Sequence, residues 1–296
     1  MLYVEDFAGY LKKSKKSSAN TIASYMRDLK KFYSYISATN TDFLTVSNQT
    51  VNSYITFMQS QGQAVSSVLR SIASLRAFYR YLVDCGNIKA NPLDEVQSPK
   101  LPERNISVLT SKETDLLLNQ PNPVGFKGCR DKAMLELLYA TGLKVSELVD
   151  LKVSDVNLSE SYISCGDADH QRNIPLGNIA LSALREYLPL RSNNILIDSS
   201  NDYLFVNISG GRMSRQGFWK IIKFYADKAK IKKEITPGTL RHSFAVHLIE
   251  SGADVSAVQE MLGHTAEFST KIYSDVVNGR LGNVYKKTKR ISRKNK

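Results

Sequence analysis

The chain has 296 residues, 42% hydrophobic and 23% charged, proportions that support a packed core and, at this length, two domains. No apolar run approaches the roughly 20 residues that cross a bilayer, the first residues lack a leader pattern, and three scattered cysteines without a CxxC pair argue against a disulfide framework or zinc knuckle. Forty Lys and Arg against 28 Asp and Glu give a formal charge of +12, which points to a polyanionic partner, nucleic acid ahead of membrane, in a cytoplasmic setting.

Residues 1–86 read as helical. Between Asn20 and Ile36 the apolar residues Ile22, Tyr25, Met26, Leu29, Phe32, Tyr33 and Ile36 recur at steps of three and four, leaving Arg27, Lys30 and Lys31 on the other side. Val65 to Val83 repeats the pattern, and its Arg70, Arg76 and Arg80 fall mostly off the apolar stripe. A four-helix domain with basic outer surfaces is expected, with Lys30, Lys31, Arg70, Arg76 and Arg80 as candidate DNA contacts. Residues 87–108 include Pro92, Pro99 and Pro102 and have no helical period, as in an extended linker.

A second domain is expected over 109–280. Thr110 followed by Glu113 is a capping box that starts it. A helix over Arg130–Thr141 ends at Gly142, and a short helical segment covers Ser146–Leu151. Tyr162–Cys165 and Gln171–Leu176 read as a hairpin around Gly166-Asp167-Ala168-Asp169, and Tyr203–Val206 as a short strand. Helices follow over Ser214–Lys230, Thr239–Glu250 (with Thr236 as N-cap and Pro237 at the first helical position), Val255–Leu262 and Ser269–Val276. Residues 281–296 form a basic tail, whose last eleven positions hold seven Lys or Arg and no acid. Of the four histidines, His242 and His247 are five apart, off the i, i+4 spacing of a zinc pair, so no metal site is expected.

Three segments resemble the signatures of the tyrosine recombinases, the family of phage integrases and Xer proteins. They are Tyr139-Ala140-Thr141-Gly142-Leu143-Lys144-Val145-Ser146-Glu147-Leu148, Thr236-Pro237-Gly238-Thr239-Leu240-Arg241-His242-Ser243-Phe244-Ala245, and Leu262-Gly263-His264-Thr265 running on to Thr270-Lys271-Ile272-Tyr273. Length and layout are closest to the Xer type. The resemblance implies a helical, SAM-like core-binding domain followed by a mainly helical catalytic domain with a small antiparallel sheet. It also implies a reaction in which a tyrosine attacks a DNA phosphodiester, forming a 3′-phosphotyrosyl bond and freeing a 5′-hydroxyl that later reverses the step. Such transesterification requires no metal or other cofactor. It requires cations that neutralise a phosphorane and an acid for the leaving oxygen.

Matched residue by residue, Tyr273 takes the place of the nucleophile, Arg241 that of the second family arginine and His264 that of a histidine on the scissile phosphate. Three positions depart from the pattern. Lys144 stands where the first family arginine is expected, keeping the charge without the bidentate fork. His170 aligns with the hairpin lysine that protonates the leaving oxygen, a role open to histidine near neutral pH. Gly238 replaces a histidine. Two functions are therefore in play: a site-specific recombinase of reduced or conditional activity, acting as a tetramer on duplex DNA with itself or a paralogous recombinase, or a catalytically inactive accessory protein on the same DNA.

Overall fold

The computed structural model describes residues 2–13, 15, 17–100, 106–166, 171–194, 196–198, 200–263 and 272–277. The chain divides into two compact units, Met1–Arg104 and Asn105–Lys296.

The first unit contains helices α1 (Leu2–Lys13), α2 (Ala19–Ser37), α3 (Asn48–Ser60) and α4 (Val65–Asp84). Ser18 and Ser47 start α2 and α3 by accepting hydrogen bonds from the Thr21 and Thr50 amides, which would otherwise lack partners. The apolar stripes meet in one core, where Phe7, Leu29, Phe32, Ile36, Leu75, Phe78 and Leu82 are inaccessible to solvent. Ring edges set its packing, as where Phe32 meets Tyr54 at a centroid distance of 4.9 Å and 64°. The proline-containing stretch after α4 begins folded against these helices. Leu93 and Val96 are buried in the same core, the Asn91 amide donates to the Arg76 carbonyl, and Arg76 donates to the Val96 carbonyl.

The second unit opens on α5 (Ser111–Leu118), whose capping box forms as read: Glu113 N–H donates to the Thr110 hydroxyl and Thr110 N–H to the Glu113 carboxylate. Helix α6 (Gly125–Thr141) begins five residues before the expected start and is enclosed on most sides, with Met134, Leu135, Leu137 and Leu138 fully buried. It stops at Gly142, in the left-handed region at φ 61°. A β-carbon there would lie 2.4 Å from Phe244 Cδ1 and 2.7 Å from Leu262 Cδ2, so both conformation and space demand glycine.

Helix α7 (Val145–Asp150) leads into a three-stranded antiparallel sheet, β1 (Val156–Asn157), β2 (Tyr162–Cys165) and β3 (Arg172–Pro175), in that order, with Ile163 opposite Ile174. The hairpin strands match the expectation, while the two-residue β1 is too short to show a period. Helix α8 (Asn178–Ser192) follows. Tyr203–Val206 is not a strand: it makes only single bridges, Tyr203 with Lys152 and Val206 with Arg212. Leu204, Phe205 and Val206 are all buried in succession, so this apolar run reflects core filling rather than a pleated edge.

Helices α9 (Arg215–Lys228), α10 (Pro237–Glu250) and α11 (Val255–Leu262) complete the unit with a helical segment over 272–277. Tyr273 and Val277, one turn apart on that segment, pack with Val108, Phe244, Val258 and Leu262. The chain entering the unit is held to α10 at one residue: Leu109 N–H donates to the Ser243 hydroxyl, and His247 Nε2 lies 2.9 Å from the Leu109 carbonyl.

Candidate active site

Helix α10 carries the centre of the site. Thr236 caps it, its N–H donating to Thr239 Oγ1, and Arg241 projects from its second turn into the protein, only 7% exposed. Nη1 donates to the Gly142 carbonyl at 2.5 Å and Nη2 to the Leu262 carbonyl at 2.7 Å. Burial pulls the guanidinium pKa down, and the Glu147 carboxylate, 4.0 Å from Nη1, opposes that.

Tyr273 meets this arginine from the 272–277 segment. Its ring is 2% exposed, and its hydroxyl is hydrogen-bonded to Arg241 and lies 3.0 Å from His242 Nδ1. Burial raises the phenol pKa and Arg241 draws it back. Burial, then the Arg241 charge, lowers the His242 imidazole below its ordinary 6.5, so the ring is neutral at pH 7.

Lys144 is the N-cap of α7, two residues after the Gly142 carbonyl that binds Arg241. Its side chain is 54% exposed, with Nζ 3.7 Å from Glu147 Oε1. Glu147 itself accepts the Lys144 N–H at 2.8 Å and Arg172 Nη2 at 3.1 Å. Burial pushes that carboxyl up, but these donors outweigh it and hold the pKa below the usual range. Arg172 also donates Nε to the Met261 carbonyl at 2.8 Å, tying β3 to the end of α11. A cleft of about 450 Å³ opens beside these groups, lined by Lys144, Arg215, Trp219, Gly238 and Arg241 among others. Arg241 therefore faces both the cleft and the Tyr273 hydroxyl.

Of the expected site residues, Tyr273 and Arg241 touch, and Lys144 and Gly238 share the cleft with Arg241. His170 and His264 lie outside the described residues, as do the hairpin turn at 167–169 and the basic tail. His242 and the Glu147–Arg172 pair were not anticipated. The capping position of Glu147, three residues after Lys144, was the one local signal. Among the described residues no three His, Cys, Asp or Glu side chains cluster as a metal site would need, and no helix is long and apolar enough to cross a membrane.

In the first unit the candidate DNA contacts differ in engagement. Lys30 and Lys31 are exposed. Arg80 is 75% exposed, with Asp84 at 3.9 Å. Arg76 holds the Val96 carbonyl. Arg70 is committed to Asp28, a residue 2% exposed, through paired bonds of 2.9 and 3.0 Å.

A helical unit followed by a mainly helical one with a small sheet, in which a buried arginine binds a tyrosine beside a cationic cleft, has the layout expected of the tyrosine recombinases, and the comparisons with known proteins agree. Residues 107–280 match the phage integrase family and residues 4–86 match the phage integrase N-terminal SAM-like domain. The chain is 42% identical over 287 residues to tyrosine recombinase XerD of Listeria innocua, covering 96% of this chain and 97% of that one. It is 40% identical over 280 residues to tyrosine recombinase XerC of Herpetosiphon aurantiacus, covering 94% and 91%. Among solved structures, XerH site-specific recombinase bound to a palindromic difH substrate superposes with a TM-score of 0.77 over 95% of this chain and 84% of that one, at 21% identity, a likeness of fold. The chain belongs to the phage integrase family and is a site-specific tyrosine recombinase of the Xer type.

Proposed function

We propose that this recombinase breaks and rejoins duplex DNA through Tyr273, at a rate reduced by the replacements at Lys144, His170 and Gly238. The observation that carries this reading is that Arg241 binds the Tyr273 hydroxyl while lining the cleft that Lys144 and Gly238 share. A phosphate seated there meets the cationic side chains of Lys144, Arg215 and Arg241 and lies next to the nucleophile. Tyr273 Oη attacks phosphorus, the 3′-phosphotyrosyl bond forms, and the bond to the 5′-oxygen breaks with that oxygen taking a proton, a task assigned here to His170. The freed 5′-hydroxyl of a partner strand reverses the step. His264 adds a donor to the phosphate in this reading.

Removing one phosphorane donor costs about 10²–10³ in rate, and residues acting as a unit lose far less than the product of their separate losses. Slow or conditional cleavage is therefore the expected behaviour. Residues 1–86 serve as the core-binding domain, 87–108 as the linker, 109–280 as the catalytic domain and 281–296 as a basic tail. The working form is a tetramer on DNA in the cytoplasm, made of this chain alone or with a paralogous recombinase. The DNA-bound state of its structural relative supports the duplex as partner.

The substitutions at Lys144, His170 and Gly238 favour a second reading, a DNA-bound accessory protein without cleavage. A nicked suicide duplex separates the two. Its sequence is obtained by selecting bound members from a randomised pool. The first reading expects a covalent protein–DNA adduct that vanishes in Tyr273→Phe. No adduct between about pH 6 and 9, where histidine passes from charged to neutral, together with salt-dependent binding, would establish the second.

A further inference from the structure

We propose that His242 is the proton acceptor for Tyr273, in space that Gly238 leaves open. This rests on the reading of Tyr273 as nucleophile.

The geometry is that of a nucleophile and its base. His242 Nδ1 lies 3.0 Å from Tyr273 Oη, with the two rings 5.7 Å apart at 46°. A base must reach the proton it removes at about this distance. His242 follows Arg241 directly on α10, so one rigid helix carries both the group that binds the phosphate and the group that accepts the proton. The other described histidine has a different employment. His247 has both ring nitrogens engaged, Nδ1 with the Tyr139 hydroxyl at 2.9 Å and Nε2 with the Leu109 carbonyl at 2.9 Å. A carbonyl can only accept, so Nε2 carries the proton there and His247 is a structural bridge.

Gly238 lies one turn before His242. A β-carbon on it would sit 3.3 Å from His242 Nε2 and 3.7 Å from Cδ2. A larger side chain at 238 and the present position of the imidazole thus compete for one place. The glycine removes one candidate proton-handling group and leaves room for another.

The charged and titratable groups facing this imidazole are Arg241 on its own helix and Tyr273 from the 272–277 segment. Burial and the arginine keep the ring neutral at pH 7, with a lone pair free at Nδ1 when the proton is on Nε2. Proton transfer from a resting phenol to such a ring is uphill, so it accompanies attack. As Oη donates electrons to phosphorus the phenolic O–H becomes acidic, its proton passes to Nδ1, and the bond to the 5′-oxygen breaks with protonation of that oxygen. In the reverse step the imidazolium returns the proton to Tyr273 as the 5′-hydroxyl displaces it. The negative phosphorane offsets the added charge on His242 beside Arg241.

The test is the initial rate of adduct formation on the nicked suicide duplex for wild type, Tyr273→Phe, His242→Gln and His242→Ala, across pH. His242→Gln is expected to be about 10²-fold slower or more at pH 7.5, the scale of one general base. Wild type is expected to slow on the acid side and the His242→Gln profile to lack that fall, and added imidazole should restore part of the rate in His242→Ala. A variant rate within about threefold of wild type, or an unchanged acid limb, overturns the proposal. Nitrogen-15 NMR of the DNA-free protein gives an independent reading: the neutral His242 ring must hold its proton on Nε2. A proton on Nδ1, donated to Tyr273, overturns the proposal even where an adduct forms. Absence of a wild-type adduct overturns the nucleophile reading, and this inference with it.

Discussion

The Arg241 guanidinium and the Gly142 carbonyl are joined at 2.5 Å, and the same side chain holds the Leu262 carbonyl at 2.7 Å. Both acceptors lie at helix C-termini, of α6 and α11, where carbonyls lack partners within the helix. Arg241 is thus a structural tie before it is a phosphate ligand. Arg241→Lys keeps a charge but can no longer reach both carbonyls with a planar fork. We expect a loss of about 1–3 kcal/mol in denaturant unfolding, the cost of leaving a buried acceptor unpaired, together with loss of the adduct.

Lys144 and Gly238 line one cleft, yet placing a larger group at each has unequal consequences. Lys144 is 54% exposed, so Lys144→Arg meets no packing barrier and regains a bidentate grip on phosphate. Its adduct rate should rise by about tenfold or more, within the range a single donor supplies. Gly238→His must move the His242 ring, because its β-carbon would already stand 3.3 Å from Nε2. Added to Lys144→Arg, it should raise the rate by less than Lys144→Arg raised it alone. A rapid-quench time course of the four proteins measures both effects.

Arg70 and the lysines of α2 should separate in a binding experiment. Lys30→Ala and Lys31→Ala remove exposed charges, so duplex affinity should fall and the slope of log K against log salt should become shallower by about one for each phosphate no longer neutralised. Arg70→Ala leaves the Asp28 carboxylate buried without its partner. Its main effect should be on unfolding, at about 1–3 kcal/mol, the cost of leaving a buried acceptor without its donors. Fluorescence anisotropy at several salt concentrations, paired with urea melts, checks the division.

Two groups of the site give stability a pH dependence in separate windows. His242 has a folded pKa lowered by burial and by Arg241, so below about 6.5 the unfolded chain binds the extra proton. Stability therefore falls as pH drops from there to the folded value, and His242→Gln should flatten this part of the curve. Glu147 is also depressed, its burial outweighed by the Lys144 N–H and Arg172. Its contribution is complete above about 4.3, the unfolded carboxyl value, and is lost as pH falls through the folded one. Glu147→Gln should lower Tm at neutral pH and shrink the acid loss. Thermal melts from pH 8 to about 3 resolve both windows.

Much of this architecture could be read from residue order because its signals are local. The α2 and α4 stripes, the Thr110–Glu113 box and the Gly142 stop each depend on neighbours within a turn. Tyr203–Val206 misled because a run of buried apolar residues looks the same in a strand and in a core-filling loop. In the site, Arg241, Lys144 and Tyr273 were marked by the segments around them. His242 stands inside one of those segments, but its contact was not legible there, since its partner Tyr273 is 31 residues away and no helical period brings them together. The Glu147–Arg172 pair spans 25 residues and a sheet, so its Arg172 end was equally silent.

The attachment of Leu109 to α10 has a mechanical consequence. The backbone that enters the second unit is fastened by both its amide and its carbonyl, through Ser243 and His247, to the helix that also carries Arg241 and His242. The entry of the chain into the second unit and the reactive residues therefore share one anchoring helix, so a substitution that loosens Ser243 or His247 disturbs both.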